Sequence, residues 1–224
     1  MQVEETLVDL TKRTCQKLSD TGIDFALAGG IAADIYRGET RATEDLDLLV
    51  EISAKDVDLA KELVDSLGFT PSIVTEAQLQ GNTRFARRAK RSTPQIVVGR
   101  AENKPYGVDF LLLSMPWAQT AMERSKSNQI NIPSIGLIPC LTVEDLIISK
   151  LFALKNNSSR RYRKSDIPDV VLMFEHNSNL DIPYLSNALQ ELELVLPKII
   201  EQETNYILAR ISRKNRKKQK SLDY

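Results

Sequence analysis

The chain has 224 residues, its 30 Lys and Arg residues balance 30 Asp and Glu residues, and 42% of its residues are hydrophobic. These values are typical of soluble globular proteins and exclude collagen-like, low-complexity and wholly disordered chains. Zero formal net charge also argues against a protein that coats nucleic acid through bulk charge, although a local basic patch stays open. A chain of this length buries roughly 70% of its unfolded surface and needs no disulfides to form a core.

The cysteines and the N-terminal segment predict a cytoplasmic protein. Cys15 and Cys140 lie far apart in the sequence, and a secreted disulfide scaffold would need more cysteines. The first ten residues are acidic and lack the basic and apolar regions of a signal peptide. Because no stretch approaches 18 consecutive apolar residues, we expect no membrane span.

The first half of the chain alternates helical and strand patterns. Hydrophobic residues recur at helical spacing over residues 3–20, and a short apolar run from Phe25 ends at Gly29 and Gly30 before a second helical segment. We predict a strand that begins near Asp45 and a helix over residues 54–67, followed by strands over residues 96–98 and 107–113. This half is therefore predicted to be mixed α/β.

The second half is predicted to be helical. Thr142 is followed three residues later by Asp145, a pattern typical of a helix N-terminus, and it opens a predicted helix through about Lys155. Further helices are predicted over residues 166–176 and 184–212. Residues 210–220 contain seven basic residues and are predicted to form a frayed helix end or a flexible tail.

These elements predict an α+β (mixed α/β) protein with a small mixed sheet flanked by helices and a helical C-terminal half. The predicted divisions are a catalytic domain over residues 1–135, a helical domain over residues 136–209 and a basic tail over residues 210–224.

Gly29 and Gly30 stand between a predicted strand and a predicted helix. A glycine turn at this position lets backbone N–H groups approach a phosphate, and the helix N-terminus adds a favourable dipole. A plain tight turn is the alternative interpretation, and it is the commoner use of a glycine pair.

Asp45 and Asp47 flank Leu46 on the predicted second strand. Residues two apart on a strand point to the same face, so the two carboxylates project together and repel unless a cation lies between them. Hard oxygen ligands at this spacing suit Mg²⁺ bound together with substrate phosphates. A solvated strand face is the alternative.

Asp109 lies inside an otherwise apolar strand pattern, where an unpaired carboxylate is costly to bury. If this strand lies beside the Asp45 strand, three carboxylates meet at one site. Such a group could hold a metal and take a proton from an attacking hydroxyl. The pattern favours phosphoryl or nucleotidyl transfer, which depends mainly on positioning and charge neutralisation.

The segment from Leu27 through Gly29 and Gly30 to Asp45 and Asp47, with Asp109 on a later strand, resembles the nucleotidyltransferase superfamily of polymerase β. The resemblance covers about residues 20–115. The spacer between Gly30 and Asp45 is at the long end of the family's range.

Within that superfamily the chain is most similar to the AbiEii/AbiGii-type toxin nucleotidyltransferases. This closer resemblance lies in the segment from Arg41 to Thr43, the helix from Glu144 to Lys150 and the segment from Arg163 to Asp169. Ser165 and Pro168 depart from the family's pattern in the last of these segments.

The resemblance implies a metal-dependent transfer of a nucleoside monophosphate from an NTP, ATP among the candidates, with release of pyrophosphate. It implies Mg²⁺ or Mn²⁺ as cofactor, an acceptor such as tRNA or protein, and an antitoxin as a further partner. The implied metal ligands and catalytic residues are Asp45, Asp47 and Asp109. The implied nucleotide-binding residues are Gly29, Gly30, Arg41, Thr43 and Lys150, with Asp166 and Asp169 in a second tier.

Several alternatives stay open. A small antibiotic-like alcohol could replace tRNA or protein as acceptor, and a non-catalytic nucleotide- or RNA-binding protein could share the fold. Lys150 could be an ordinary exposed lysine, and Asp166 an ordinary helix N-cap. The basic cluster between Arg84 and Arg91 could line an RNA approach or form a solvated face.

Overall fold

The structure is a computed structural model that describes residues 5–79, 92–156 and 160–196, with the backbone alone for residues 160–164. Helix α1 (Leu7–Asp20) begins at an N-cap threonine: the Thr6 hydroxyl accepts from the Asp9 N–H, and the Asp9 carboxylate accepts from the Thr6 N–H. This reciprocal capping satisfies two backbone donors that the helix itself leaves free. The first predicted helix is therefore confirmed, with its start at Leu7.

The main sheet has five strands: β1 (Phe25–Leu27), β2 (Asp45–Val50), β3 (Thr70–Thr75), β4 (Pro94–Arg100) and β5 (Gly107–Leu112). Their spatial order is β1-β2-β5-β4-β3. Strands β2 and β5 are parallel, whereas the other neighbouring pairs are antiparallel. The sheet is thus mixed, as predicted, and it places the two aspartate-bearing strands side by side.

The helices that follow α1 are α2 (Gly29–Arg37), α3 (Val57–Ser66), α4 (Glu76–Leu79), α5 (Ala118–Ser125), α6 (Val143–Asn156), α7 (Arg160–His176) and α8 (Ile182–Glu191). A 3₁₀ turn over Ala54–Asp56 leads into α3. The predicted cap of α6 is confirmed, because the Asp145 N–H donates to the Thr142 hydroxyl.

One prediction about the second half needs correction. The helix predicted over residues 184–212 ends at Glu191, and Glu193 has a φ of 50°, a left-handed conformation that cannot continue a right-handed helix. A small hairpin of β6 (Gln129–Ile132) and β7 (Gly136–Pro139) lies between α5 and α6, and the division into domains near residue 135 stays a prediction. Residues 197–224, including the predicted basic tail, lie outside the described residues.

The core lies on both faces of the sheet. Leu46, Leu48 and Phe110 are fully buried, and α3 covers their face, where Val64 approaches Val108. Asp45, Asp47 and Asp109 alternate with these side chains and project from the opposite face. Of the helices in the described ranges, none combines the length and apolar character needed to cross a membrane.

Candidate active site

The structure brings Asp45, Asp47 and Asp109 together at one end of the sheet. Asp47 lies directly beside Asp109 in the β2–β5 register, and Asp45 lies beside Gly107. Side chains two apart on a strand share a face, so the three carboxylates, here called the acidic cluster, project from the same side. The sequence alone could not show that Asp109 lies next to β2. The parallel pairing of β2 with β5 shows that it does.

The glycine pair lies against the acidic cluster. The Gly30 N–H donates to Asp47 Oδ2 over 3.4 Å, and the Ala28 N–H donates to the Asp47 carbonyl. Gly29 has a φ of +59°, and a Cβ at that position would lie 1.8 Å from Asp47 Oδ2. Gly29 is therefore required on two counts, since a side chain would clash with Asp47 and strain the backbone. Helix α2 begins at Gly29 itself, and its N-terminus faces Asp47.

The acidic cluster carries more negative charge than its surroundings neutralise. Burial and the neighbouring charges of Asp109 and Asp45 raise the pKa of Asp47 to about 7, against smaller opposing effects of Lys150 and the Gly30 N–H. Burial also raises the pKa of Asp109, although Arg100 opposes that change. Raised carboxylate pKa values in a cleft mark a site where a cation or proton is expected.

Arg100, the last residue of β4, was not identified from the sequence. Its Nη1 donates to Asp109 Oδ1 over 2.5 Å and its Nη2 to Asp109 Oδ2 over 3.2 Å. The same Nη2 lies 3.2 Å from Asp45 Oδ1. An isolated arginine after an apolar run carries no local signal, because its role depends on the antiparallel β4–β5 register.

One cleft of about 550 Å³ contains the acidic cluster, the glycine pair and Arg100. Arg41, Thr43 and Lys150 complete its polar end, and Ile96, Leu111, Met115, Trp117 and Phe152 line its apolar end. A cavity of about 580 Å³ between α1 and the β6–β7 hairpin has a slightly larger volume. Its carboxylate, Asp24, is paired with Lys126, and we assign the chemistry to the first cleft because only that cleft contains the acidic cluster.

Arg41 and Thr43 lie beside the N-terminus of α2. A Cβ at Gly30 would lie 2.6 Å from the Thr43 hydroxyl oxygen and 3.4 Å from Arg41 Nη2. These polar groups therefore lie next to the first turn of α2. Together they form a region suited to an anion.

A second charged group joins α2, α6 and α7. We call it the ion-pair cluster, and its members are Asp34, Arg37, Arg41, Lys150, Asp166 and Asp169. The Lys150 ammonium lies 3.0 Å from Asp166 Oδ1 and 2.8 Å from Asp169 Oδ2. Lys150 is 7% exposed, so the interpretation of it as an exposed surface lysine is wrong. Asp166 lies inside α7 rather than at its N-terminus, so the N-cap interpretation is wrong as well.

Asp169 lies at the centre of the ion-pair cluster. Besides Lys150, it contacts Arg37 Nη1 at 2.5 Å and Arg41 Nη2 at 3.2 Å, and its side chain is 1% exposed. Burial raises the pKa of Asp169, but Lys150 and Arg41 outweigh burial and hold that pKa below its usual value. The pKa of Asp166 is raised by burial, against the effect of Lys150.

The donor chemistry of the acidic cluster fits a hard divalent cation. Its three carboxylates supply oxygen ligands alone, which Mg²⁺ and Mn²⁺ prefer, and burial together with the charges of Asp109 and Asp45 raises the pKa of Asp47. Within the described ranges, neither these three carboxylates nor any other three His, Cys, Asp or Glu side chains are arranged as ligands of one ion. Arg100 contacts Asp45 and Asp109, so a cation bound by these carboxylates would have to displace this side chain.

The basic cluster between Arg84 and Arg91 and the basic tail from Arg210 lie outside the described residues. The interpretation of the Arg84–Arg91 cluster as an RNA approach or a solvated face stays a prediction.

Several solved structures are similar to this one. ANT(2")-Ia in complex with adenylyl-2"-tobramycin is 14% identical, with a TM-score of 0.50, and the match covers 83% of this chain and 96% of that one. Lincomycin-bound LnuA, a lincosamide antibiotic adenylyltransferase, is 12% identical over 78% of this chain and all of its own, with a TM-score of 0.47. JHP933 from Helicobacter pylori is 15% identical over 96% and 94% of the two chains, with a TM-score of 0.47.

At such identities the likeness to ANT(2")-Ia shows the fold alone. No curated protein sequence matches the chain. The model of the nucleotidyl transferase AbiEii toxin family, of type IV toxin–antitoxin systems, matches residues 15–219. Because this match spans nearly the whole chain, the protein belongs to the AbiEii family and is a nucleotidyltransferase.

Proposed function

We propose that the protein transfers a nucleoside monophosphate from an NTP to an acceptor hydroxyl and releases pyrophosphate, using Mg²⁺ or Mn²⁺ bound by Asp45, Asp47 and Asp109. The observation that carries this proposal is the placement of Asp47 beside Asp109, directly against the N-terminus of α2. The strand pair supplies carboxylates for a cation, and the N-terminus of α2, with Arg41 and Thr43 beside it, supplies a region suited to an anion in the same cleft.

In this proposal the triphosphate lies at the polar end of the cleft. The N–H groups at the start of α2 point toward it, and the Thr43 hydroxyl and Arg41 guanidinium lie beside them. The Lys150 ammonium lines the same end while it is anchored by Asp166 and Asp169. An ammonium held in this way keeps its charge directed at the phosphates at little cost in side-chain entropy.

The bound divalent ion would supply charge neutralisation at the phosphates. Asp109 accepts the proton of the acceptor hydroxyl as that oxygen bonds to the α-phosphorus, and the bond from the α-phosphorus to the β-phosphate oxygen breaks. Pyrophosphate leaves with the electron pair of the broken bond.

For the acceptor we propose a macromolecule, with tRNA as the first candidate, because the chain belongs to a family of toxins. An antitoxin of the same system is the proposed partner. Membership of an enzyme family argues against the non-catalytic alternative. Transfer to a protein or to a small antibiotic-like alcohol is an outcome that the acceptor experiment distinguishes.

Trp117 offers a direct test of donor binding. It is the single tryptophan of the chain and lines the cleft, so its fluorescence reports on occupancy of that cleft. Titration with each of the four NTPs should change this fluorescence with Mg²⁺ present and not with EDTA. Asp45→Asn should abolish the response, whereas Asp65→Asn, on the exposed face of α3, should leave it intact. An unchanged response in Asp45→Asn would contradict the proposed site.

The acceptor is tested with α-³²P-labelled NTPs. Label should appear on tRNA in the presence of wild-type protein and Mg²⁺, and should not appear with Asp109→Asn. Label on a protein or on an aminoglycoside, with none on tRNA, would replace the proposed acceptor while leaving nucleotidyl transfer in place.

A further inference from the structure

Arg100 contacts the carboxylate oxygens that a divalent cation would need. Its guanidinium spans both oxygens of Asp109 and reaches Asp45 Oδ1. Among residues that the structure describes, it is the sole Lys or Arg that forms a salt bridge with either carboxylate. A paired, two-pronged contact of this type fixes the carboxylate orientation as well as its charge.

The backbone below Arg100 leaves room for this contact. A Cβ at Gly107 would lie 2.4 Å from Arg100 Nη1 and 2.8 Å from Asp45 Oδ1. Gly107 is the β5 residue paired with Asp45, so the guanidinium passes over the one position in that pair that lacks a side chain. The approach of Arg100 to both carboxylates therefore depends on a specific residue of β5.

Arg100 is also free to leave. Its side chain is 48% exposed and extends from the last residue of β4. Water competes for the exposed guanidinium and lowers the net free energy of its ion pairs, although the Asp109 side chain is only 16% exposed. Since Arg100 lines the cleft, incoming phosphates offer it a second anionic partner close to the first.

We propose that Arg100 is a positioning residue: it acts as an internal counter-cation for Asp45 and Asp109 in the nucleotide-free protein and exchanges onto the NTP phosphates when the divalent ion takes the carboxylates. This inference rests on the proposed function. Two consequences follow. The metal alone binds weakly because it must displace a cation, and metal and NTP bind cooperatively because the NTP supplies the anion that Arg100 then contacts.

The test measures metal binding rather than turnover. Mn²⁺ is titrated into nucleotide-free protein, and free Mn²⁺ is followed by its electron paramagnetic resonance signal. Arg100→Met should bind Mn²⁺ at least about tenfold more tightly than wild type, because it removes a unit charge from beside the ligands. With a non-hydrolysable NTP analogue present, wild type should gain Mn²⁺ affinity by a larger factor than Arg100→Met.

Lys104→Met is the matched control, because it removes a neighbouring positive charge by the same replacement. Lys104 pairs with Glu5 and lies over the Phe69 ring rather than on the acidic cluster. It should leave nucleotide-free Mn²⁺ affinity close to wild type. Arg100→Lys keeps the charge without the two-pronged contact and should give an intermediate affinity.

The outcomes separate the two proposals. Equal nucleotide-free Mn²⁺ affinity in wild type and Arg100→Met, with NTP-dependent Mn²⁺ binding intact in both, overturns the role of Arg100 alone. An equal gain in Lys104→Met also overturns it, because general electrostatics would then explain the effect. Absence of Mn²⁺ binding in every variant, with and without the analogue, overturns the proposed function and this inference together.

Discussion

The acidic cluster and the ion-pair cluster contain the same kind of residue in opposite electrostatic states. In the ion-pair cluster three carboxylates meet three cations. One of these carboxylates, Asp169, contacts all three cations, Arg37, Arg41 and Lys150. In the acidic cluster, Arg100 is the one cation of the described residues that forms salt bridges, and these join it to Asp45 and Asp109. The pKa of Asp169 is accordingly held below its usual value, whereas that of Asp47 rises to about 7.

Under the proposed function, this difference separates the aspartates that build the protein from those that serve its chemistry. Carboxylates matched by internal cations hold α2, α6 and α7 together and give those helices a fixed relation to the cleft. Carboxylates left with excess charge are held there by the fold at a cost in stability, which is expected where a ligand completes the site. Lys150 belongs to both regions, since it pairs with Asp166 in the ion-pair cluster and lines the cleft beside the acidic cluster.

Removal of Asp169 should have the largest effect on stability. Asp169→Asn removes the carboxylate that Arg37 and Lys150 share and leaves them with Asp34 and Asp166, respectively. Breaking a buried ion pair costs about 3–5 kcal/mol. Because the pKa of Asp169 is lowered in the folded state, its contribution is present above its unfolded pKa, about 4, and is lost as the pH falls through the folded value. Urea unfolding should therefore show a large deficit at pH 7 that narrows below about pH 4.

The matched control for this experiment is Asp58→Asn. Asp58 pairs with Lys61 at 2.8 Å on the solvent face of α3, and its side chain is 81% exposed. Its replacement should barely change the urea midpoint. A deficit in Asp169→Asn no greater than in Asp58→Asn would show that the ion-pair cluster is not structural.

Substitution in the acidic cluster should raise the free energy of unfolding, whereas substitution of Asp169 should lower it. Asp47 has a folded pKa of about 7, above its unfolded value of about 4, so its ionisation destabilises the fold increasingly as the pH rises between these values. In EDTA, Asp47→Asn should therefore be more stable than wild type, and this advantage should grow by about 2 kcal/mol between pH 5 and pH 8. Urea unfolding at the two pH values measures it.

Addition of Mg²⁺ sharpens the same experiment. At pH 8 the ion should raise the stability of wild type and not that of Asp47→Asn, because ligand binding stabilises only a protein that retains the site. If Asp47→Asn is less stable than wild type at pH 8 in EDTA, the view that the acidic cluster is strained without a cation is wrong.

Parts of both regions follow from local sequence, and other parts do not. The glycine pair, the Asp45–Asp47 pair and the Thr142 cap are recognisable because each depends on residues a few positions apart. The strand pairing that brings Arg100 to Asp109 depends on the register of β4 and β5, which no local pattern encodes. The contacts of Asp169 with Arg37 and Lys150 likewise join distant segments, so Lys150 could not be distinguished from a surface lysine.

Secondary structure shows the same limit. Strand β3 (Thr70–Thr75) was not predicted, because Pro71 and its polar neighbours are unlike a central strand. It lies at the edge of the sheet, where proline is tolerated because one side of the strand needs no ladder hydrogen bonds. Pro168 departs from the family's pattern, yet it lies inside α7 and leaves Asp169 in place.

The smallest effect comes from the close approach of α2 to the acidic cluster. Gly29 and Gly22 both have positive φ, but a Cβ at Gly22 would have nothing within 4 Å, whereas one at Gly29 would lie 1.8 Å from Asp47 Oδ2. Both Ala variants should lose roughly 1–2 kcal/mol from the left-handed backbone, and Gly29→Ala should lose more because its Cβ would also clash with Asp47. Gly29→Ala alone should also weaken the NTP-dependent Trp117 response, by about tenfold in Kd, because its methyl group displaces the Asp47 carboxylate. Equal NTP affinity in the two variants would mean that the contact between Gly29 and Asp47 affects packing but not NTP binding. The bound ligand would then neutralise the negative charge of Asp47 without any contribution from the N-terminus of α2.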